Sequence, residues 1–98
     1  MGKPENEIEH YLVCKSKKKG ILCKKFTSPG TIGVPDRILI GYGQVIFAEI
    51  KAPGKKPRLA QQIVIDDMRK HGATVVVLDT KQQIDTLIEN LMKGNKIL

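Results

Sequence analysis

Apolar positions along the chain recur with two different spacings, and these spacings predict the order of its secondary-structure elements. Helical spacing, bounded by capping residues, predicts helices over residues 4–18, over residues 58–71 and from residue 80 onwards. Alternating or continuous apolar runs predict strands over residues 21–26, 36–40, 45–51 and 73–78. The predicted order is α-β-β-β-α-β-α in a single domain, residues 1–98. It is a mixed α/β fold class, with a small mixed β-sheet flanked by helices.

Two of these segments carry more specific expectations. The continuous β-branched run "ATVVVL" (residues 73–78) is typical of a strand that is buried on both faces of its sheet. The last helix, which Asp79 or Thr80 can cap, has one apolar stripe made of Ile84, Leu87, Ile88 and Leu91. We interpret this stripe as part of the core; a surface that binds a partner is the alternative.

The segment "GYGQ" (residues 41–44) lies between two apolar runs and predicts a β-hairpin. A loop at residues 42–43, or over all four residues, makes the numbers of facing residues sum to 85, so that Asp36 faces Glu49. Side chains alternate along a strand, so Lys51 lies on the same face as Glu49. The hairpin therefore places two carboxylates directly opposite each other, with a lysine beside them.

Facing carboxylates repel each other, and the apolar strands around them leave little water to screen the repulsion. Lys51 supplies one positive charge on this face, and a divalent cation would supply another. A few oxygen ligands, with room left for water and a phosphate, suit Mg²⁺ or Mn²⁺ better than Zn²⁺. Spacing alone leaves two alternatives open. A loop shifted by one residue would move Glu49 away from Asp36, or the Glu49–Lys51 pair is an ordinary surface pair at a fraying strand end.

Charge is distributed unevenly along the chain, whose formal net charge is +7. Residues 1–60 contain 12 Lys and Arg against 5 Asp and Glu, whereas residues 61–98 contain 5 of each. The basic excess of the first 60 residues fits a polyanionic partner such as nucleic acid, with a solvated surface as the alternative. No apolar run approaches the ~20 residues of a membrane span, and the charged N-terminus lacks an apolar signal segment. We therefore expect a soluble cytoplasmic protein with no membrane partner.

Two stretches carry a resemblance to a known family. "GVPDRILI" (residues 33–40) and "VIFAEIKAPGKKPRLAQ" (residues 45–61) resemble the PD-(D/E)XK nucleases. Their order is most similar to the virus-type replication-repair nuclease (VRR-NUC) family, whose members have GxPD, then ExK, then a helix with a Gln. The match covers nearly the whole chain and looks like the stand-alone phage or prophage type. The resemblance implies a restriction-endonuclease-like core.

The resemblance also implies roles for individual residues. Asp36 and Glu49 match the metal-binding carboxylates, and the backbone carbonyl of Ile50 would add a ligand. Lys51 matches the lysine that positions the attacking water and offsets charge on the scissile phosphate. Gln61 matches the glutamine of the following helix and would orient the water or the metal.

Several positions have more than one candidate. Gln62 is the alternative to Gln61, which shares its helix face with the apolar residues that follow. On the N-terminal helix Glu5 is the preferred metal ligand and Glu9 the second choice, because Glu5 lies nearest to the apolar side and fits the family's E-x-x-I pattern. The basic residues expected to contact DNA are Lys24, Lys25, Lys55, Lys56 and Arg58.

By this resemblance the chain is expected to be a structure-specific DNA endonuclease that uses Mg²⁺ or, in its place, Mn²⁺. Branched DNA, in particular a four-way (Holliday) junction, is the expected substrate, and a homodimer the expected assembly. The expected location is the cytoplasm of a bacterial or phage-infected host cell. The alternatives are a flap- or nick-directed nuclease and a non-catalytic basic DNA-binding module. Intact Asp36, Glu49 and Lys51 argue against the second.

Overall fold

Helices and strands follow one another in the predicted order in a computed structural model that describes residues 4–98. The elements are α1 (Pro4–Lys18), β1 (Leu22–Lys25), β2 (Arg37–Gly41), β3 (Gln44–Ile50), α2 (Leu59–Lys70), β4 (Thr74–Leu78) and α3 (Lys81–Met92). None of the helices within residues 4–98 is long and apolar enough to cross a bilayer. The α-β-β-β-α-β-α prediction is confirmed, with strand ends that differ by at most one residue.

The four strands form one mixed sheet in the order β1-β2-β3-β4. The first three strands are antiparallel neighbours, and β4 joins β3 in parallel through the crossover helix α2. Ile40 pairs with Val45 and Ile38 with Phe47, which is the predicted hairpin register. Tyr42 has a φ of 52° and Gly43 a φ of 81°, the backbone that a two-residue I′ turn requires.

The main core lies on one face of this sheet, under α1 and α3. Ile46, Ala48 and Ile50 of β3 point to that face and are buried. The predicted stripe of α3 is buried against them, together with Ile8 and Leu12 of α1, so its assignment to the core is confirmed. Alternation along β3 sends the next set of side chains, Phe47 and Glu49, to the opposite face, where α2 packs.

One expectation about β4 is wrong. The run "ATVVVL" (residues 73–78) predicts burial on both faces, but Val76 and Val77 are only half-buried. The reason is that β4 lies at the edge of the sheet and pairs with β3 alone among the described strands. The Arg69 side chain closes part of this edge, because its Nη2 donates to the Val75 carbonyl oxygen at 2.7 Å.

Candidate active site

The strands β2 and β3 bring two carboxylates together on the α2 face of the sheet. Asp36 immediately precedes β2, and the antiparallel register carried one residue further sets it opposite Glu49. The Phe26 amide donates to the Asp36 carbonyl at 2.9 Å, so β1 still holds this residue beyond the end of the strand. The Ile50 amide donates to Asp36 Oδ2 at 2.8 Å and orients the carboxylate. Both the backbone and the side chain of Asp36 are therefore fixed.

Glu49 is a buried carboxylate with an incomplete set of partners. Its side chain is 1% exposed, and Oε2 lies 3.3 Å from the Lys51 Nζ. Oε1 is buried and accepts no hydrogen bond from residues 4–98. Burial, followed by the charge of Asp36, raises the pKa of Glu49 to about 7, although Lys51 acts in the opposite direction. An ionised Glu49 is therefore costly here unless a further positive charge enters the site.

The donor set suits a hard divalent cation. Asp36 and Glu49 offer carboxylate oxygens, and within residues 4–98 Glu49 Oε1 has no partner and no Cys or His side chain accompanies them. Within residues 4–98, no three Asp, Glu, His or Cys side chains converge closely enough to hold an ion by themselves. Two carboxylates with a backbone carbonyl, as predicted for Ile50, would leave the remaining positions to water and phosphate.

The structure separates the two glutamates proposed on α1. Glu9 Oε2 forms an ion pair with Arg37 Nε at 2.7 Å, on the α1 side of the sheet. Glu5 is half-buried, and its charge contributes to the raised pKa of Glu49. Glu5 does not complete a three-carboxylate cluster with Asp36 and Glu49, because α1 packs on the opposite face of the sheet.

Gln61 occupies the third position of α2, where its side chain has a structural partner. Its Oε1 accepts from the Arg58 amide at 2.9 Å and so satisfies a free N–H at the start of the helix. The side-chain NH₂ group remains as a donor on the half-buried side of α2. Gln62 donates instead to Asp66 Oδ1 at 2.8 Å, one turn along an exposed part of the helix.

Comparison with known proteins agrees with this geometry. No protein-family model matches the chain. The chain is 42% identical over 84 residues to "Putative nuclease p44" of Acyrthosiphon pisum secondary endosymbiont phage 1, which covers 79% of this chain and 84% of that protein. A solved structure of a VRR_NUC domain superposes with a TM-score of 0.82 at 30% identity, over 90% of this chain and 97% of that one.

The chain belongs to the VRR-NUC nuclease family. The resemblance drawn from "GVPD" and "EIK" is therefore confirmed, and the mixed sheet with three helices is the fold of that family.

Gly33 of the VRR-NUC "GVPD" motif has a packing role that the sequence did not reveal. Its φ is 96°, and a Cβ at this position would lie 2.9 Å from the Ala60 carbonyl oxygen. A side chain would therefore push the loop before β2 away from the start of α2. The neighbouring Pro35 is fully buried, so packing holds the backbone immediately before Asp36 in place.

The five basic residues predicted to contact DNA are exposed, but they do not form one continuous row on the VRR-NUC chain. Lys24 pairs with Ile38 in the sheet register and points to the same face as Glu49, whereas Lys25 pairs with Arg37 and points to the α1 face. Lys55, Lys56 and Arg58 lie in the loop between β3 and α2, and none of the five forms an ion pair within the described part of the chain (residues 4–98).

Asp79 has a role that differs from the helix cap considered from the sequence. Thr80 is the N-cap of α3, and its Oγ1 accepts from the Gln83 amide at 3.1 Å. Asp79 Oδ2 instead accepts from the Gly54 amide at 3.0 Å, across 25 residues of sequence. The sequence pattern does not predict this contact, because the register of the parallel pair β3–β4 is not set by a short turn.

Proposed function

We propose that this chain is a Mg²⁺-dependent endonuclease that hydrolyses phosphodiester bonds in DNA. The observation that carries the proposal is the buried Glu49, which faces Asp36 and has one carboxylate oxygen that receives no hydrogen bond from residues 4–98. A structural ion pair would gain from a full set of partners, whereas a cation site needs ligand atoms that the protein leaves free.

Each residue of the site would have its own role in phosphodiester hydrolysis. Asp36, Glu49 and the Ile50 carbonyl would hold Mg²⁺, which when bound polarises the scissile phosphate and lowers the pKa of a coordinated water. Lys51, held beside Glu49, would orient the attacking water and offset the charge that develops on the phosphate. The side-chain NH₂ group of Gln61 would help to orient the same water. Hydrolysis then joins the water oxygen to phosphorus and breaks one P–O ester bond.

Exposed lysines around this site support DNA as the substrate. Lys24 flanks the site on its own face, while Lys55 and Lys56 follow closely after Lys51 in the β3–α2 loop. Such residues attract the phosphate backbone without regard to base sequence. We therefore assign Lys24, Lys55, Lys56 and Arg58 to backbone contacts, with Lys25 as a peripheral one.

We also propose that two copies act together on branched DNA. One chain has a radius of gyration of 12.8 Å and carries one pair of facing carboxylates. Paired cuts across a four-way junction need two such sites, and a two-fold axis is the simplest way to relate them. Mass in solution, measured by light scattering, tests the dimer.

Cleavage of matched DNA substrates tests the proposed activity. End-labelled junction, flap, nicked and linear duplexes are incubated with Mg²⁺ or with EDTA, using wild type, Glu49→Gln and, as a matched control, Glu7→Gln on the exposed side of α1. We expect cutting of the junction with Mg²⁺ by wild type and Glu7→Gln alone. Full cutting in EDTA would contradict the metal mechanism. A monomer that cuts linear duplex as readily as the junction would contradict the paired mechanism and indicate a simple nicking nuclease.

A supercoiled cruciform plasmid separates paired from independent cuts. Two cuts made within one complex give linear product directly, whereas independent nicks accumulate open circles first. Early accumulation of open circles would contradict the paired mechanism while leaving the nuclease assignment intact.

A further inference from the structure

The loop that carries Lys55 and Lys56 starts with a well-defined turn. The Lys55 amide donates to the Ala52 carbonyl at 2.9 Å. Pro53 occupies the second position of this turn, and Gly54 the third with a φ of 79°, as in a type II β-turn. This hydrogen bond fixes the shape of the turn. It does not fix the orientation of the turn relative to the sheet, which requires a contact with another part of the chain.

Asp79 supplies that missing attachment. The Lys51 amide donates to the Leu78 carbonyl at 2.9 Å, which carries the β3–β4 hydrogen bonding one residue beyond the end of β3. Asp79 thereby becomes the neighbour of Lys51, and its Oδ2 accepts from the Gly54 amide at 3.0 Å. Its own amide donates to Gln83 Oε1 at 2.7 Å, so α3 in turn fixes Asp79.

An acidic residue at this position is otherwise unexplained. Asp79 lies beside a loop whose exposed lysines are proposed to contact phosphates, where a negative charge opposes DNA binding. A carboxylate at this position favours DNA binding only if its hold on the loop raises the affinity for DNA by more than its repulsion of the phosphates lowers it. The contact with Gly54 is a charge-assisted hydrogen bond from a backbone amide, which is the stronger kind.

We propose that Asp79 is a positioning residue for DNA binding, which holds the Ala52–Lys55 turn so that Lys55 and Lys56 point towards the substrate beside Lys51. This inference rests on the proposed DNA nuclease function. Asp79 acts through the lysines and does not touch the reacting atoms, so it affects capture of DNA and not the chemical step.

Three variants distinguish positioning from simple charge. Asp79→Ala removes both the acceptor and the charge, Asp79→Asn keeps an acceptor and removes the charge, and Glu89→Ala on the exposed side of α3 is the control for loss of one negative charge. Binding to a fluorescein-labelled four-way junction is measured by anisotropy in EDTA, at several salt concentrations. Asp79→Ala should bind about fivefold more weakly near 0.1 M salt, with a salt slope reduced by about 1 to 2. Asp79→Asn and Glu89→Ala should bind as well as wild type or slightly better.

The same substitution in a second background shows whether the lysines mediate the effect. In a Lys55→Ala, Lys56→Ala protein, Asp79→Ala should cause no further loss, since no lysine remains to be positioned. Steady-state cleavage with Mg²⁺ should show a raised KM and an unchanged kcat for Asp79→Ala, with KM restored in Asp79→Asn.

The outcomes separate this inference from the proposed function. Wild type that fails to bind DNA would overturn the proposed function itself. Wild type that binds, with Asp79→Ala binding equally or more tightly, would overturn only the positioning role. An equal loss for Asp79→Ala with and without the lysines would also overturn it, because the residue would then act through general stability.

Discussion

Two clusters of ionisable side chains lie on opposite faces of the sheet, and they differ in how completely their charges are paired. The interhelix cluster consists of Tyr11, Lys15 and Asp85 and joins α1 to α3. The Tyr11 hydroxyl donates to Asp85 Oδ1 at 2.5 Å, and Lys15 forms an ion pair with the same oxygen. The α2-face cluster consists of Asp36, Glu49 and Lys51, where two carboxylates share one nearby lysine and Glu49 Oε1 has no partner among the residues that the structure describes.

The pKa shifts of the two clusters run in opposite directions. The hydrogen bonds from Lys15 and then Tyr11 lower the pKa of Asp85, whereas burial and the neighbouring Asp36 raise the pKa of Glu49 to about 7. Asp85 is therefore stabilised in its charged form by groups already present. Glu49 is not, and it becomes fully stable as an anion only with a further cation. We therefore interpret the paired, part-exposed cluster as a structural contact, and the buried, incompletely paired cluster as the candidate functional site.

The largest expected difference between the clusters is in catalysis. Glu49→Gln and Asp36→Asn each remove a charge that we propose holds the cation, so we expect single-turnover cleavage to fall on the order of a thousandfold or more. DNA binding should remain largely intact. Metal-free thermal stability should hold or rise, because each change relieves repulsion between facing carboxylates. Asp85→Asn is the control from the other cluster and should cut DNA at the wild-type rate. Loss of cutting in Asp85→Asn would contradict the assignment of catalysis to the α2-face cluster alone.

The two lysines provide the next largest contrast. Lys51→Ala should lower the cleavage rate at saturating DNA about a hundredfold, because its charge matters most as the phosphate approaches the transition state. Lys15→Ala, which removes a lysine of the interhelix cluster, should leave that rate unchanged. Separate measurement of kcat and KM for Lys51→Ala distinguishes a role in the chemical step from a role in DNA binding. A raised KM with an unchanged kcat for Lys51→Ala would assign this lysine to binding alone.

Much of the α2-face cluster could be predicted because its geometry is set by a short hairpin. Two residues of turn fix the register of β2 and β3, and that register alone makes Asp36 face Glu49. The buried stripe of α3 was equally predictable, since periodicity reports which side of a helix is apolar. Contacts set within a few residues along the chain were therefore accessible from the sequence.

Contacts that depend on how distant elements dock were not accessible. The pairing of Glu9 with Arg37, which leaves Glu5 nearer to Glu49, depends on where α1 lies on the sheet. The anchoring of Gly54 by Asp79 depends on the register of a parallel pair joined by a whole helix. The half-buried Val76 and Val77 depend on β4 being an edge strand, which residue type alone does not indicate.

A change of pH should affect the metal-free stability through Glu49. A carboxyl whose pKa is raised on folding keeps its proton longer in the folded state, so its contribution is full below about pH 4.5 and is lost as pH rises through about 7. Wild type should lose on the order of 2 kcal/mol between pH 5 and 8 from this group. Urea unfolding in EDTA should show that slope in wild type and Asp85→Asn but not in Glu49→Gln. Saturating Mg²⁺ should reduce it, and an equal slope in Glu49→Gln would contradict the assignment.

The smallest expected effect is the contribution of the interhelix cluster to stability. The side chains of Lys15 and Asp85 are 25% and 36% exposed, so water and salt screen their attraction. Asp85→Asn should therefore lower Tm by no more than about 4 °C, and less at high salt. A double-mutant cycle with Lys15→Met, read by thermal unfolding in EDTA, isolates the pair from the packing of each side chain. Because the pKa of Asp85 is lowered, its contribution should disappear as pH falls through the acid range, opposite to the behaviour of Glu49. A coupling that survives both acid and high salt would show that α1 and α3 are held by packing around Tyr11 and not by charge.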